Sequence, residues 1–553
     1  MTSLIDIEGC EMKKNLILIS LLLAQFGVVG AYAADPAQAK MRSLADFYAK
    51  FKTSSETVWP GLNVGQHPLL VGYDDFFAKD DEPFDDSIYA LDFKTKNSAW
   101  QKQIWGSQTV YYLPHDNLGF HQYQGDINNA YFDIENQKAV PVLIDEELDD
   151  QINNVILAEE LYAYHELFDT SNHKAKINLL MQRYNVNYTG LSDLENYSLI
   201  LLEVSALQDY LNTHNETALK NYVAIFQTRY DKLDAAHKLY EVDGLEFLPA
   251  SFVGYKAASN NDKNLTDLIL NAYRDDFSMG HPDYSMIDDS LYFISTAVSY
   301  GLDHTTPGWQ MAMEANNTPA SVLLAQHYHL SQSEIAAGYK KAKQLYNYEK
   351  IYALVNEKIS PYVQAMKAEQ QAYAQDAGVE ITYTDFGGLT YDYRSFSDEV
   401  YASTYYTSNH SQISKGDSFK VGGMELQKGG LLLSDWNDDE SLDWHTKYRF
   451  KIPADAQVKV DGVNYTMAQF VAQDRKVGFS DLAITAGELQ FMLSNDEYKY
   501  AVKVEGGKLY IVMVKASVSR VGVGRPAAVH FHGIKKPRVA LRLPGLRRGF
   551  AQA

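Results

Sequence analysis

The chain has 553 residues, 49 Lys and Arg against 71 Asp and Glu for a formal charge of −22, and 46% apolar and 13% aromatic residues. That length and apolar content fit several domains around large cores and exclude disorder, while so acidic a body excludes non-specific binding to nucleic acid or to an anionic membrane surface. Cys10 is the single cysteine, which excludes a disulfide scaffold, a CxxC zinc site and a thiol nucleophile.

The first element in chain order is an export signal. Lys13 and Lys14 precede the apolar run 16–30, and Ala31-Tyr32-Ala33 closes it with small residues at its first and third positions. This three-part pattern predicts a secretory signal peptide over 1–33, cleaved before Ala34. Met12 stands directly before the lysines, so the first eleven residues read as an upstream extension of the reading frame. The run is short for a hydrocarbon core of about 30 Å, and no other stretch approaches about 18 unbroken apolar residues. A periplasmic or secreted protein with no integral membrane span after signal removal is expected.

Residues 34–150 are mixed, with strand-like runs at 109–113 and 139–144 between Pro, Gly and Asp. Residues 151–375 read as helical, since apolar positions recur at three and four in 152–168, 194–211, 218–239 and 335–374. From Gly378 the period becomes two. The segments 446–452, 488–493, 498–504 and 508–514 alternate between turn residues, which predicts antiparallel strands over 376–515. Residues 516–553 carry no acidic residue and no clear period, and read as a basic disordered tail. The expected fold class is therefore α+β and multidomain, a mostly helical central domain followed by an antiparallel β domain.

The chain has no GxSxG, GxxxxGK[ST] or GxGxxG motif. Its most informative segment is His165-Glu166-Leu167-Phe168-Asp169, at the end of the first long central helix. Helical spacing puts His165 and Asp169 on one face, a turn apart, and Glu166, about 100° around the axis, leans over the same point. In HExxH sites two histidines hold zinc while the glutamate takes a proton from the metal-bound water. Here an aspartate stands in the second histidine's place. The competing reading is a solvated helix face carrying Glu159, Glu160, His165 and Glu166.

Glu203 adds weight. Its helical neighbours Leu199, Ile200, Ala206 and Leu207 are apolar, so its carboxylate points into a core and needs a partner. Arg183 or Arg229, a hydrogen-bond network, or a metal shared with His165 and Asp169 would serve. On the metal reading, Glu203→Leu is expected to lose the ion yet stabilise the apo fold.

The order HELFD, LLEVSALQDYL, YEVDGLEFLPASFVGYKA and YFISTAVSYGLDHTTPGWQ, spanning residues 150–330, resembles bacterial gluzincin-type, HExxH metallopeptidase-like proteins. These tend to read HExFH, then an apolar helix with a Glu before an Ala-Leu pair, then Glu-Gly-x-Ala. The resemblance implies a single zinc, a metal-activated water and hydrolysis of a peptide or protein substrate. It makes His165 the first ligand, Glu166 the general base and Glu203 the third ligand, with Asp169 at the second ligand position. Asp243-Gly244 stands where Glu-Gly is usual, so Asp243 is an alternative to Glu203, and His173 an alternative to Asp169. Beside a zinc peptidase stand a catalytically silent envelope protein that binds partners on the same scaffold and, by fold analogy alone, a glycan-active enzyme.

Two further pairs of histidines are expected to be structural. His115 and His121 flank a loop and bond within a turn, whereas His327 and His329, two apart at a helix end, face different ways. The Tyr-rich stretch 391–406 is read as sheet surface.

Overall fold

The computed structural model describes residues 36–73, 88–113, 132–144, 148–273, 284–385, 403–421, 424–436, 446–473, 475–494 and 498–515. The expected signal segment 1–33, His115, His121, most of 391–406 and the expected basic tail lie outside them. The chain is α+β, with sheets rich in antiparallel pairs.

Helix α1 (Pro36–Val58) leads into six strands: β1 (Leu69–Tyr73), β2 (Ile88–Leu91), β3 (Gln101–Trp105), β4 (Gln108–Leu113), β5 (Phe132–Ile134) and β6 (Gln137–Ile144). Their order is β3-β4-β2-β1-β6-β5, antiparallel except for β1 against β6. Alternation along the strands divides the side chains between two cores. Leu69, Val71, Tyr89 and Leu91 face the main core, while Leu70, Ile88 and Ala90 join a smaller cluster with Phe93 and Trp100.

The helical body begins with α2 (Asp150–Tyr164), capped by the Asp149 side chain on Ile152 N at 2.9 Å. It continues through α3 (His173–Asn185), α4 (Leu194–Thr213), α5 (Glu216–Tyr230), α6 (Ala235–Lys238), α7 (Ala250–Ala258), α8 (Asp262–Ala272), α9 (Tyr284–Thr305), α10 (Trp309–Asn316), α11 (Ala320–Tyr328), α12 (Gln332–Leu345) and α13 (Tyr348–Gln375). Two expected runs are broken by local signals. The 218–239 run stops after Tyr230 and restarts where Asp234 accepts from His237 N. The 335–374 run is interrupted at Asn347, which sits at φ +54°. Close packing of α2 on α7 depends on Gly254, where a Cβ would lie 2.8 Å from Val155 O.

A separate core holds the C-terminal sheet. It comprises β7 (Val379–Asp385), β8 (Ser403–Ser408), β9 (Ser411–Val421), β10 (Met424–Trp436), β11 (Thr446–Ile452), β12 (Gln457–Val460), β13 (Val463–Thr466), the short α14 (Met467–Val471), β14 (Arg475–Phe479), β15 (Asp481–Ala486), β16 (Leu489–Ser494), β17 (Tyr498–Glu505) and β18 (Lys508–Lys515). Pairing is antiparallel except that β18 returns alongside β7 in parallel. Asn409, in the β8–β9 turn, docks this sheet on the helical body: its N–H donates to Tyr188 O at 3.0 Å, and its Oδ1 accepts from Tyr188 N at 2.8 Å. Among the described residues no helix is long and apolar enough to cross a membrane.

Candidate functional site

Helix α2 does not simply end at His165. Residues His165–Asp169 form a π-turn, closed by Thr170 N donating to His165 O at 3.2 Å. Such one-residue expansions recur at functional sites. The turn keeps His165 and Asp169 face to face, Nδ1 to Oδ2 at 3.9 Å. A residue that sequence spacing does not single out completes the group. His67, in the loop before β1, places Nε2 3.3 Å from Asp169 Oδ1. No local pattern marks it, because only the packing of the N-terminal sheet against α2 brings it there.

Glu166 lies beneath this trio, 1% exposed. The Lys176 ammonium, from the first turn of α3 and equally buried, donates to its Oε2. Its other oxygen, Oε1, stands 4.0 Å from His165 Nε2 and has no hydrogen-bond partner. Burial pushes the Glu166 carboxyl up to about 7, against the opposing pull of Lys176. Burial also lowers the His165 pKa, with Asp169 and Glu314 opposing and Lys176 assisting, so the imidazole is held neutral. Its Nδ1 is buried and without a partner. Glu314, on α10, accepts from Trp59 Nε1 at 2.5 Å and ties the site to the aromatic cluster of Trp59, Tyr162 and Trp309. The solvated-face reading does not hold, since Glu159 and Glu166 are both buried.

Glu203 is buried as expected, at 0% exposure. Of the partners open to it, the structure supplies Arg229, whose Nε and Nη2 reach its two oxygens at 2.7 and 3.0 Å. The same guanidinium donates through Nη1 to Glu241, which also accepts from Tyr188 OH at 2.8 Å and Asn196 Nδ2 at 2.7 Å. Glu241 belongs to a second π-turn, Leu239–Asp243, closed by Gly244 N on Leu239 O at 2.9 Å. Asp243, at the end of that turn, accepts from Tyr230 OH at 2.9 Å. His173 Nδ1 lies 2.8 Å from Thr170 O, at the close of the first π-turn. His329 takes the left-handed position that ends α11.

Thus the structure brings His165, Glu166 and Asp169 together, adds His67 and Lys176, and commits Glu203 to an arginine. Among the described residues no group of three or more His, Cys, Asp or Glu side chains is placed so as to hold a metal ion. The donor chemistry of His67, His165 and Asp169 nevertheless suits zinc. Two imidazoles and one carboxylate are an ordinary set, and His67 and His165 stand 3.3 and 3.9 Å from the two different oxygens of Asp169, so the side chains must close in to share one ion. The orphaned His165 Nδ1 is a donor atom with nothing else to bind. No protein family model, no curated protein and no solved structure matches the chain.

Proposed function

We propose that this chain is an exported hydrolase of peptide bonds, acting on peptides or proteins, with His67, His165 and Asp169 as donors to one divalent ion, zinc by donor type, and Glu166 as general base. One observation carries the reading: His165 Nδ1 and Glu166 Oε1, neighbours on a single π-turn, are both buried and both unpartnered. Buried polar atoms are nearly always bonded, and the exceptions mark a bound ion or water, or a catalytic role. The ion, when bound, supplies Lewis acidity and lowers the pKa of water.

The chain's own groups do the rest. Lys176 fixes Oε2 of Glu166 and leaves Oε1 on the His165 side. A carboxyl near 7 takes and returns a proton with little free-energy cost at neutral pH. His67 and His165 flank the Asp169 carboxylate and hold its orientation. Glu203 is left out of the donor set, because the Arg229 fork takes both its oxygens. Export rests on the pattern of residues 13–33.

Purified protein should carry one ion per chain and cleave a general peptide substrate. Glu166→Gln should keep the ion and lose cleavage, because the base and not a donor is changed. A Glu166→Gln chain that cleaves as well as the parent sinks the mechanism. One specific observation favours a second reading, the catalytically silent envelope protein. Two of the three acids that the resemblance places in the zinc site, Glu166 and Glu203, already carry a cation of the chain, Lys176 and Arg229. On that reading the purified protein holds no stoichiometric metal.

A further inference from the structure

A second feature of α2 lies away from the π-turn. Seven residues before Glu166, on the same side of the helix and about 10 Å along its axis, Glu159 lines a small cavity with Arg183, Ser251, Tyr292, Ser295 and Thr296, together with the apolar residues of 245–250. Glu159 is 3% exposed. Ser251 Oγ donates to its Oε1 at 3.0 Å, while Oε2 is buried with no partner. Protonated on Oε1, Glu159 can donate to Ser251 Oγ, but an ionised Glu159 is paired with no cation and its Oε2 accepts from no donor.

The charges around the cavity favour one kind of occupant. Arg183 is committed elsewhere, with Nη2 on Asp288 Oδ1 at 3.0 Å, Nε on Tyr240 O at 2.8 Å and its plane 4.3 Å from the Tyr240 ring. Burial pushes Glu159 up to about 8, and the carboxyl of Glu160, next in sequence, adds to the rise. Tyr292 also lines the cavity, its ring 6.0 Å from the Arg183 guanidinium.

We propose that this cavity is a subsite for an alkylammonium group of the substrate, which ion-pairs with Glu159. The ammonium belongs either to a lysine side chain or to the free amino end of a peptide. As a substrate subsite it rests on the hydrolase reading, but binding is measurable without turnover.

Calorimetry on the full chain at pH 8 with three probes separates the cases. N-acetyl-lysine amide carries only the ε-ammonium, norleucine amide only the α-ammonium, and N-acetyl-norleucine amide neither. At least one ammonium probe should bind, the uncharged one should not, and Glu159→Gln should weaken binding at least tenfold. Binding of N-acetyl-lysine amide, whose ε-ammonium stays charged throughout, should also strengthen from pH 6 to pH 8 in the parent chain as Glu159 gives up its proton, which tests the idea even if the variant folds poorly. The idea is overturned if neither ammonium probe binds, if the uncharged probe binds as well, or if Glu159→Gln changes nothing. Binding that passes these tests in a chain without peptidase activity would sink the hydrolase reading and leave the cation site standing.

Discussion

Glu203 and Glu166 are alike in burial and unlike in partner, and the difference decides what each does. The apolar neighbours of Glu203 announce its burial from sequence alone. Its partner is not legible, because Arg229 sits 26 residues on, on a different helix whose facing side is set by tertiary packing. The expected benefit of Glu203→Leu is therefore reversed. Removing the carboxylate strips Arg229 of its bidentate partner and leaves one buried arginine on Glu241, so the variant should lose about 3 kcal/mol in urea unfolding, the scale for breaking a buried pair. A parallel loss on Arg229→Met, with partial recovery in the double variant, would show that the pair and not the packing is responsible. Lys176→Met isolates the other pair. Without the ammonium, the Glu166 pKa should rise further above its ordinary range, and any peptidase activity should move to higher pH. An unshifted pH–activity profile would show that Lys176 does not act on the base. His67 marks the limit of reading single residues, since one imidazole before a strand carries no signal until the fold brings it to Asp169.

At the scale of elements, regular structure is the most legible. The period-two segments emerge as β11, β16, β17 and β18 within a residue of expectation, because alternation and turn chemistry are local. What local pattern does not show is the parallel return of β18 beside β7 and the conversion of two helix ends into π-turns. Each π-turn adds one residue to a helical turn, and periodicity over five residues cannot tell five from four. Gly244 makes the second turn possible, for a Cβ there would meet Arg183 Cβ at 2.6 Å and Leu239 O at 2.7 Å. Gly244→Ala should thus cost about 1–3 kcal/mol by overpacking, seen as a lowered melting temperature, while an unchanged one would mean that the turn relaxes freely. Strand β18 supports a second test. Ending the chain after Lys515 should leave unfolding unchanged, whereas ending it before Lys508 removes the strand between β7 and β17 and should expose the C-terminal sheet to proteolysis.

At the scale of the whole molecule, the acidic excess reaches the interior. Glu159 is raised to about 8 and Glu160, Glu166 and Glu246 to about 7, in each case chiefly by burial. The folded chain therefore holds protons that the unfolded chain releases above its ordinary carboxyl range near 4.5. Between about 4.5 and 8 the folded state binds more protons, so stability falls as pH rises. Metal-free protein should melt at a higher temperature at pH 5.5 than at pH 8, and Glu159→Gln, which keeps the neutral shape, should narrow that gap. A melting temperature that climbs toward pH 8 would contradict this. The central claim, a metal site built on the first π-turn and completed by His67, is tested most directly by zinc stoichiometry of the purified chain beside His67→Ala and Glu203→Gln. The account predicts one zinc per chain in the parent, loss of most of it in His67→Ala, and retention in folded Glu203→Gln. No stoichiometric metal in the parent, or zinc that survives His67→Ala and departs with Glu203→Gln, would contradict it.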